Sequence, residues 1–195
     1  MTYIYDWNSM PHEVAVVCPQ CRREAVFEAS VWVGIPLKKD VPFFKKSPLF
    51  EYVHCPQPMG HSHFAGYYPR LHGRGVEPIQ ELPEGYSPQD WAPPQYHKRY
   101  RGSRLGTISC ACGLLRKHDL DWPKDAFYQV DVRGRTLWAY DRSYAKDLLE
   151  YIESKDRNRH QFRNGFSLYV VPTHFQTAKV RDEVSKKLGK LLQNT

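Results

Sequence analysis

Hydrophobic and polar residues alternate in two stretches of the chain, and each alternation predicts a β-hairpin. In residues 13 to 35, two short runs rich in Val, Ala and Phe flank the tetrapeptide "CPQC". Alternating runs on both sides of a Pro-containing turn are typical of antiparallel strands. Residues 125 to 140 repeat the pattern around "RGR", where Gly134 is expected to supply the positive φ angle of a tight turn.

The C-terminal part of the chain changes to the spacing of amphipathic helices. Apolar residues recur there at intervals of three and four, which predicts a helix over 144–155 with Ser143 as its N-cap. A second apolar stripe predicts a helix over 177–192 with Thr177 as its cap. The members of the two stripes are Ala145, Leu148, Leu149, Ile152, Val180, Val184, Leu188, Leu191 and Leu192.

Residues 36 to 106 interrupt the regular pattern, because 11 of the 15 prolines lie there. Proline fixes φ and removes a backbone donor, so repeated Pro excludes long helices and central strands. The interval predicts an irregular, Pro/Tyr-rich insertion with one short strand at "LFEYVHC". Its many aromatic residues favour packing against the rest of the protein over a free linker, and one domain over residues 1–195 is expected.

Composition and charge narrow the class of protein. The chain is 41% hydrophobic and 14% aromatic, so it is expected to fold, and its apolar runs fall far short of the roughly 20 residues of a membrane span. The N-terminal residues lack the basic and then apolar layout of a secretory signal, which predicts a cytoplasmic protein. Net charge is +7, and residues 157 to 195 account for +6 of it. This basic segment predicts either a phosphate-binding surface or a solvated helix face.

Four of the five cysteines occur as two close pairs. Cys18 and Cys21 lie in "VVCPQCRRE", and Cys110 and Cys112 lie in "ISCACG", each pair following a strand-like run. Cytoplasmic thiols stay reduced, so two such pairs favour metal ligation over disulfides. Three other interpretations remain open at this point: unrelated buried thiols, redox chemistry by C-x-x-C, and an iron–sulfur cluster.

The two cysteine motifs together resemble the zinc-ribbon superfamily, with residues 13–35 and 107–122 as its halves. The resemblance implies split zinc-ribbon-like β-hairpins. Together with the insertion and with the β-hairpin and two C-terminal helices predicted over 125–195, it gives an expected α+β fold. It also implies one structural Zn²⁺ held by the thiolates of Cys18, Cys21, Cys110 and Cys112. The chain departs from the superfamily in its C-x-C second motif and in the 88 residues between Cys21 and Cys110. Closing so long a loop costs little entropy.

The fifth cysteine lies in a second group of metal-compatible side chains, in "EYVHCPQPMGHSHFAG". The group comprises His54, Cys55, His61 and His63. Imidazole suits zinc, copper or nickel, so one hypothesis is a second metal site, and a metal-dependent enzyme would use it. The competing interpretation is an ordinary aromatic and His-rich surface.

No catalytic motif accompanies these ligands in the sequence. Phosphate-binding loops, dinucleotide fingerprints, nucleophile elbows, H-E-x-x-H and the zinc deaminase signature are all missing. We therefore predict a basic, zinc-binding protein that is not an enzyme.

Nucleic acid is the predicted partner, because clustered Lys and Arg bind phosphates and neighbouring aromatic residues stack on bases. Tyr96, Tyr100 and Tyr144 are the aromatic residues predicted to stack. The alternative is a protein-interaction adaptor that docks through the Pro/Tyr-rich insertion. The predicted phosphate contacts are Arg99, Arg101, Arg104, Arg157, Arg159, Arg163, Lys179, Lys186, Lys187 and Lys190.

Overall fold

The computed structural model describes residues 10–55, 62–76, 78–93 and 104–193. Its contacts divide the chain into two compact units. The first unit comprises Met1–Val26, Cys110–Cys112 and Asp121–Thr195, and the second comprises Phe27–Ser109 and Gly113–Leu120. Antiparallel sheets and helices occur together, so the predicted α+β class is confirmed.

Three β-sheets lie in the described residues. The strands are β1 (Glu13–Val17), β2 (Glu24–Ala29), β3 (Val31–Gly34), β4 (Glu51–His54), β5 (His63–Tyr67), β6 (Leu105–Ser109), β7 (Leu115–Asp119), β8 (Tyr128–Val132) and β9 (Arg135–Ala139). Their order is β1-β2-β6-β7 in the first sheet, β3-β5-β4 in the second and β8-β9 in the third. Strands β6 and β7 form an antiparallel hairpin whose last pair is Ser109 with Leu115.

The strands predicted around "CPQC" are present as β1 and β2, which are neighbours in the first sheet. The second run of this predicted hairpin, residues 25 to 33, is not one continuous strand, because it is interrupted at Ser30. Both the N–H and the hydroxyl of Ser30 donate to the carbonyl of Leu105, at 2.9 and 2.7 Å. The chain therefore leaves one sheet at this residue and enters the next as β3.

In its described residues, the insertion contains strands β4 and β5, where the sequence predicted one strand. Both lie between prolines, so the Pro content did not exclude them, and β5 pairs with β3 and β4 on its two sides. An aromatic cluster packs beside this sheet, with the rings of Phe50 and Trp91 stacked at 5.1 Å. The buried members of the cluster are Val31, Val33, Ile35, Phe44, Phe50, Ala65, Tyr67, Ile79 and Trp91.

The hairpin predicted over residues 125 to 140 is present as β8 and β9. A two-residue turn joins them, with φ of 51° at Arg133 and 75° at Gly134. Positive φ at both central residues is the conformation whose twist matches that of paired strands. The prediction of Gly134 as a turn residue is confirmed.

Four helices lie in the described residues: α1 (Val41–Lys46), α2 (Arg142–Glu153), α3 (Thr173–Gln176) and α4 (Ala178–Gln193). The predicted N-cap of α2 is wrong, because the carboxylate of Asp141, not Ser143, accepts the backbone N–H of Tyr144 at 2.7 Å. The predicted side-chain cap of α4 is not made, since the Thr177 hydroxyl donates to the carbonyl of His174. No helix of the described chain is both long enough and apolar enough to cross a membrane.

Two glycines provide a matched test of packing. A Cβ atom at Gly106 would overlap the carbonyl oxygen of Glu28 and lie 2.5 Å from the Phe27 ring, whereas at Gly189 its nearest neighbour would be Leu149 at 4.0 Å. Overpacking costs about 1–3 kcal/mol, and replacing a helical Gly gains about 0.5–1 kcal/mol. We expect Gly106→Ala to lower the thermal midpoint and Gly189→Ala to raise it, as measured by circular dichroism. Equal shifts for both variants would contradict this packing.

Candidate metal centre

The first cysteine pair lies in a tight loop between β1 and β2. The N–H of Cys18 donates to the carbonyl of Arg23 at 2.8 Å, and the N–H of Arg22 donates to the carbonyl of Cys18 at 2.9 Å. Arg22 has a φ of 63°, in the left-handed region. These two bonds and the left-handed residue reverse the chain directly after Cys21.

The second pair lies in the loop between β6 and β7. Cys110 directly follows β6, and Gly113 directly follows Cys112 with a φ of 90°. Each loop therefore has a left-handed residue immediately after its second cysteine. Glycine adopts that conformation without steric cost, which accounts for its presence in the shorter C-x-C loop.

The four sulfurs of these loops converge. The Sγ atoms of Cys18 and Cys112 are 3.7 Å apart, and those of Cys21 and Cys110 are 3.6 Å apart. All four lie within 4.8 Å of one another, and no pair is joined as a disulfide. Sulfurs about 2.3 Å from a central ion at the corners of a tetrahedron are about 3.8 Å apart. The spacing therefore fits one tetrahedral metal ion.

The surroundings shift the pKa values of Cys18 and Cys21 in one direction and that of Cys110 in the other. A hydrogen bond from the backbone N–H of Arg23, with a further contribution from its guanidinium, lowers the pKa of Cys21 to about 6. At Cys18, burial acts to raise the pKa, but the N–H groups of Cys21 and Gln20 lower it below its usual range.

Cys110 behaves differently from the first pair. The N–H of Cys112 acts to lower its pKa, but burial and the three neighbouring thiols together raise it to about 12. Four sulfurs this close repel one another when ionised. A bound cation would remove that repulsion, which is a property expected of a metal site.

Hydrogen bonds from the same unit hold the first loop. The carbonyl of Glu24 lies 3.7 Å from the Cys110 sulfur, and the carboxylate of Glu24 accepts the Tyr128 hydroxyl at 2.9 Å. At the end of β1, the N–H of Val17 donates to the carbonyl of Asp125 at 2.9 Å. The loop is thereby fixed to the β8 strand and the segment before it.

The second predicted ligand group is described only in part, because His61 lies outside the described residues. His54 and His63 pair across β4 and β5, with their rings stacked at 4.8 Å. The Nδ1 atom of His63 is 2.7 Å from the Tyr52 hydroxyl. Burial, and then the charge of His54, lowers the pKa of His63. Over the described ranges, the four-cysteine group is the one cluster of three or more candidate ligands, and the second site stays a prediction.

Several predicted phosphate contacts make bonds within the protein. Arg157 donates to the carbonyl of Gln176 at 2.5 Å, and Arg104 donates to the carbonyl of Leu120 at 2.9 Å. Lys187 lies 2.7 Å from the Glu183 carboxylate. The Arg159 side chain is half-buried, and its guanidinium lies over the rings of Tyr151 and Tyr169. Arg99 and Arg101, together with Tyr96 and Tyr100, lie outside the described residues.

Tyr144 is not available to stack on a base. Its side chain is 2% exposed and its hydroxyl donates to the carbonyl of Ser167 at 3.0 Å. The sequence predicted it as an exposed aromatic residue, but it lies on the buried, apolar side of α2. Its predicted role in base stacking is therefore wrong.

The remaining lysines of α4 form an exposed stripe. At 100° per residue, Lys179, Lys186 and Lys190 fall on one side of the helix, opposite buried Val184 and Leu188. Within the part of the chain that the structure describes, none of the three amines makes an ion pair. We call these three residues the α4 lysine stripe.

Comparison with protein-family models, with curated proteins and with solved structures finds no match to this chain. The assignment of the centre therefore depends on its own geometry. The structure brings together all four cysteines that the sequence predicted as ligands.

Proposed function

We propose that the protein binds nucleic acid without catalysing a reaction, on a fold stabilised by one structural zinc ion. Cys18, Cys21, Cys110 and Cys112 would hold the ion. The observation that carries the zinc assignment is the sulfur spacing, with paired Sγ atoms 3.6 and 3.7 Å apart. Four soft thiolates in a tetrahedral arrangement are typical of zinc.

A closed shell of four thiolates supports a structural role. Catalytic zinc keeps one coordination position open for water or substrate, whereas four protein ligands leave none. The ion would join two loops that are far apart in the sequence. Each loop already has its turn conformation set by hydrogen bonds or by a left-handed residue, so the ligands need little rearrangement to bind.

The α4 lysine stripe supports nucleic acid as the partner. Its three amines are exposed and point the same way along a helix, so they can approach successive phosphates together. Between Asp156 and Asp182, moreover, the sequence contains five Lys or Arg residues and no Asp or Glu. Displaced counterions would supply the binding free energy, which makes the affinity strongly dependent on salt.

The test is binding of labelled oligonucleotides by the zinc-loaded chain over a range of NaCl concentrations. Changing Lys179, Lys186 and Lys190 together to Gln removes three contacts and is expected to weaken binding at least about tenfold at low salt. The slope of log K against log salt should also fall by about 2 to 3. Fluorescence anisotropy measures both quantities.

A matched control removes the same charge elsewhere. Lys38, Lys39 and Lys46 are also exposed, and they lie in the second unit. Their change to Gln should leave the salt slope near that of the unchanged chain. Equal losses in the two triple variants would show that net charge alone governs binding. No binding by the unchanged chain at low salt would end the proposal.

A further inference from the structure

Two large aromatic side chains are exposed side by side in the first unit. Phe166 is 58% exposed and Tyr169 is 51% exposed, and their ring centroids are 6.3 Å apart. Tyr169 lies in a 3₁₀ helix, Ser167–Val170, and Phe166 directly precedes it. Residues three apart lie above one another on such a helix, so both rings are on one side, whereas Leu168 is buried. We call Phe166 and Tyr169 the aromatic pair.

The backbone beneath the aromatic pair is held firmly. The N–H and the side-chain amide of Asn164 both donate to the Asp147 carboxylate, at 2.7 and 2.8 Å. The Tyr144 hydroxyl donates to the carbonyl of Ser167. A Cβ atom at Gly165 would overlap the carbonyl oxygen of Arg159, so the chain passes itself there at a distance that only glycine permits. The rings are therefore presented on a fixed support.

Positively charged side chains lie beside the aromatic pair, although the Asp147 carboxylate lies beneath it on Asn164. The guanidinium carbon of Arg159 lies 4.6 Å from the Tyr169 ring centre and 5.7 Å from that of Tyr151. Arg163 and His160 are exposed in the same segment. No carboxylate occurs in the sequence from Arg157 to Arg181. A ligand of complementary chemistry has flat apolar faces and negative charge.

We propose that the aromatic pair stacks on unpaired bases, so that the nucleic acid bound by this protein is single-stranded. The inference rests on the proposed function and names the class of its ligand. Single strands offer the faces of their bases to aromatic side chains, with the phosphates alongside for cations. Bases inside a duplex are already stacked on their neighbours and offer no such face. The two rings are inclined at 64°, and each side chain is more than half exposed.

The test compares a thymidine oligonucleotide with an abasic oligonucleotide of the same length and charge. The unchanged chain is expected to bind the thymidine strand more tightly, and Phe166→Ala with Tyr169→Ala should remove that difference. Stacking of one base on one ring corresponds to about a 5- to 150-fold change in affinity. The double variant should therefore lose about 25-fold or more for the thymidine strand while its affinity for the abasic strand and its salt slope stay unchanged.

Two further variants separate stacking from folding and from general hydrophobicity. Phe166→Tyr with Tyr169→Phe keeps both rings and is expected to retain the preference for bases. Leu37→Ala with Leu115→Ala removes two other exposed apolar side chains, 50% and 48% exposed, and should leave the preference intact. Thermal melts should show that all these variants are folded.

The outcomes distinguish this inference from the proposed function. Equal binding of both strands by the unchanged chain would overturn the inference and leave nucleic-acid binding standing. No binding of either strand would overturn both. A concentration-dependent dimer that disappears in Phe166→Ala with Tyr169→Ala, without any preference for bases, would assign the aromatic pair to a second copy of the chain and overturn the inference.

Discussion

Removing the proposed zinc ion from the 195-residue chain is expected to abolish the cooperative unfolding of its first unit. Zinc binding to structural four-ligand sites is worth about 10–16 kcal/mol at neutral pH, whereas whole domains are stable by about 5–15 kcal/mol. The free energy lost when zinc is removed is therefore as large as the total stability of a domain. Circular dichroism before and after treatment with a strong chelator measures the effect, and re-addition of zinc should restore the transition.

Single cysteine variants distinguish the effect of the metal centre on stability from that of the fifth thiol, Cys55. Cys112→Ser is expected to lose bound zinc and to reproduce the melting curve of the chelated protein. Cys55→Ser is the matched control, because Cys55 lies outside the four-sulfur group and should keep full zinc content. A melting curve for Cys112→Ser that matches the unchanged chain would show that no metal stabilises the fold.

Breaking the buried ion pair of Glu28 and Arg70 is expected to give the second large effect. The Arg70 Nε donates to the Glu28 carboxylate at 2.6 Å, and a terminal nitrogen donates to the Ser109 hydroxyl at 2.5 Å. Both side chains are nearly buried, with 11% and 10% exposed. Glu28→Ala would leave the guanidinium without its partner, which costs about 3–5 kcal/mol. Urea titration followed by Trp fluorescence measures the change in the free energy of unfolding.

An exposed ion pair is the control for this prediction. Lys124 and Asp121 lie 3.7 Å apart with side chains 81% and 57% exposed. Exposed pairs contribute about 0–1 kcal/mol, so Lys124→Ala should change the free energy of unfolding little. The Glu28→Ala and Arg70→Met double variant should be less destabilised than the sum of the single changes. Additive effects would show that the two side chains do not depend on each other.

Local sequence patterns predicted the elements that depend on local interactions. The "RGR" turn and the two C-terminal helices follow from residues close in the sequence, as does the loop at "CPQC". The four-cysteine cluster was also predictable, because cysteine pairs at short spacing are rare outside a few kinds of site. The sequence alone does not fix where a helix begins. Asp141 and Ser143 are both good capping residues, and only the structure decides between them.

Long-range pairing set the features that the sequence did not predict. The break at Ser30 depends on the carbonyl of Leu105, 75 residues later. The β3-β5-β4 sheet joins a strand that precedes the Pro-rich insertion to two strands within it, and no local pattern encodes that order. Arg157 and Tyr144 were predicted as contacts from residue type alone, but tertiary packing buries Tyr144 and pairs Arg157 with the carbonyl of Gln176. The aromatic pair lies within the apolar run "FSLYVV", so the sequence alone does not distinguish its members from buried residues. The 3₁₀ conformation of this run puts Phe166 and Tyr169 on one side.

X-ray absorption at the zinc edge tests the central claim most directly, on the purified chain with its metal content measured in parallel. One zinc per chain is expected, with a coordination shell of four sulfurs at about 2.3 Å. A chain without zinc, or a shell in which nitrogen or oxygen replaces one or more sulfurs, would contradict the four-cysteine centre.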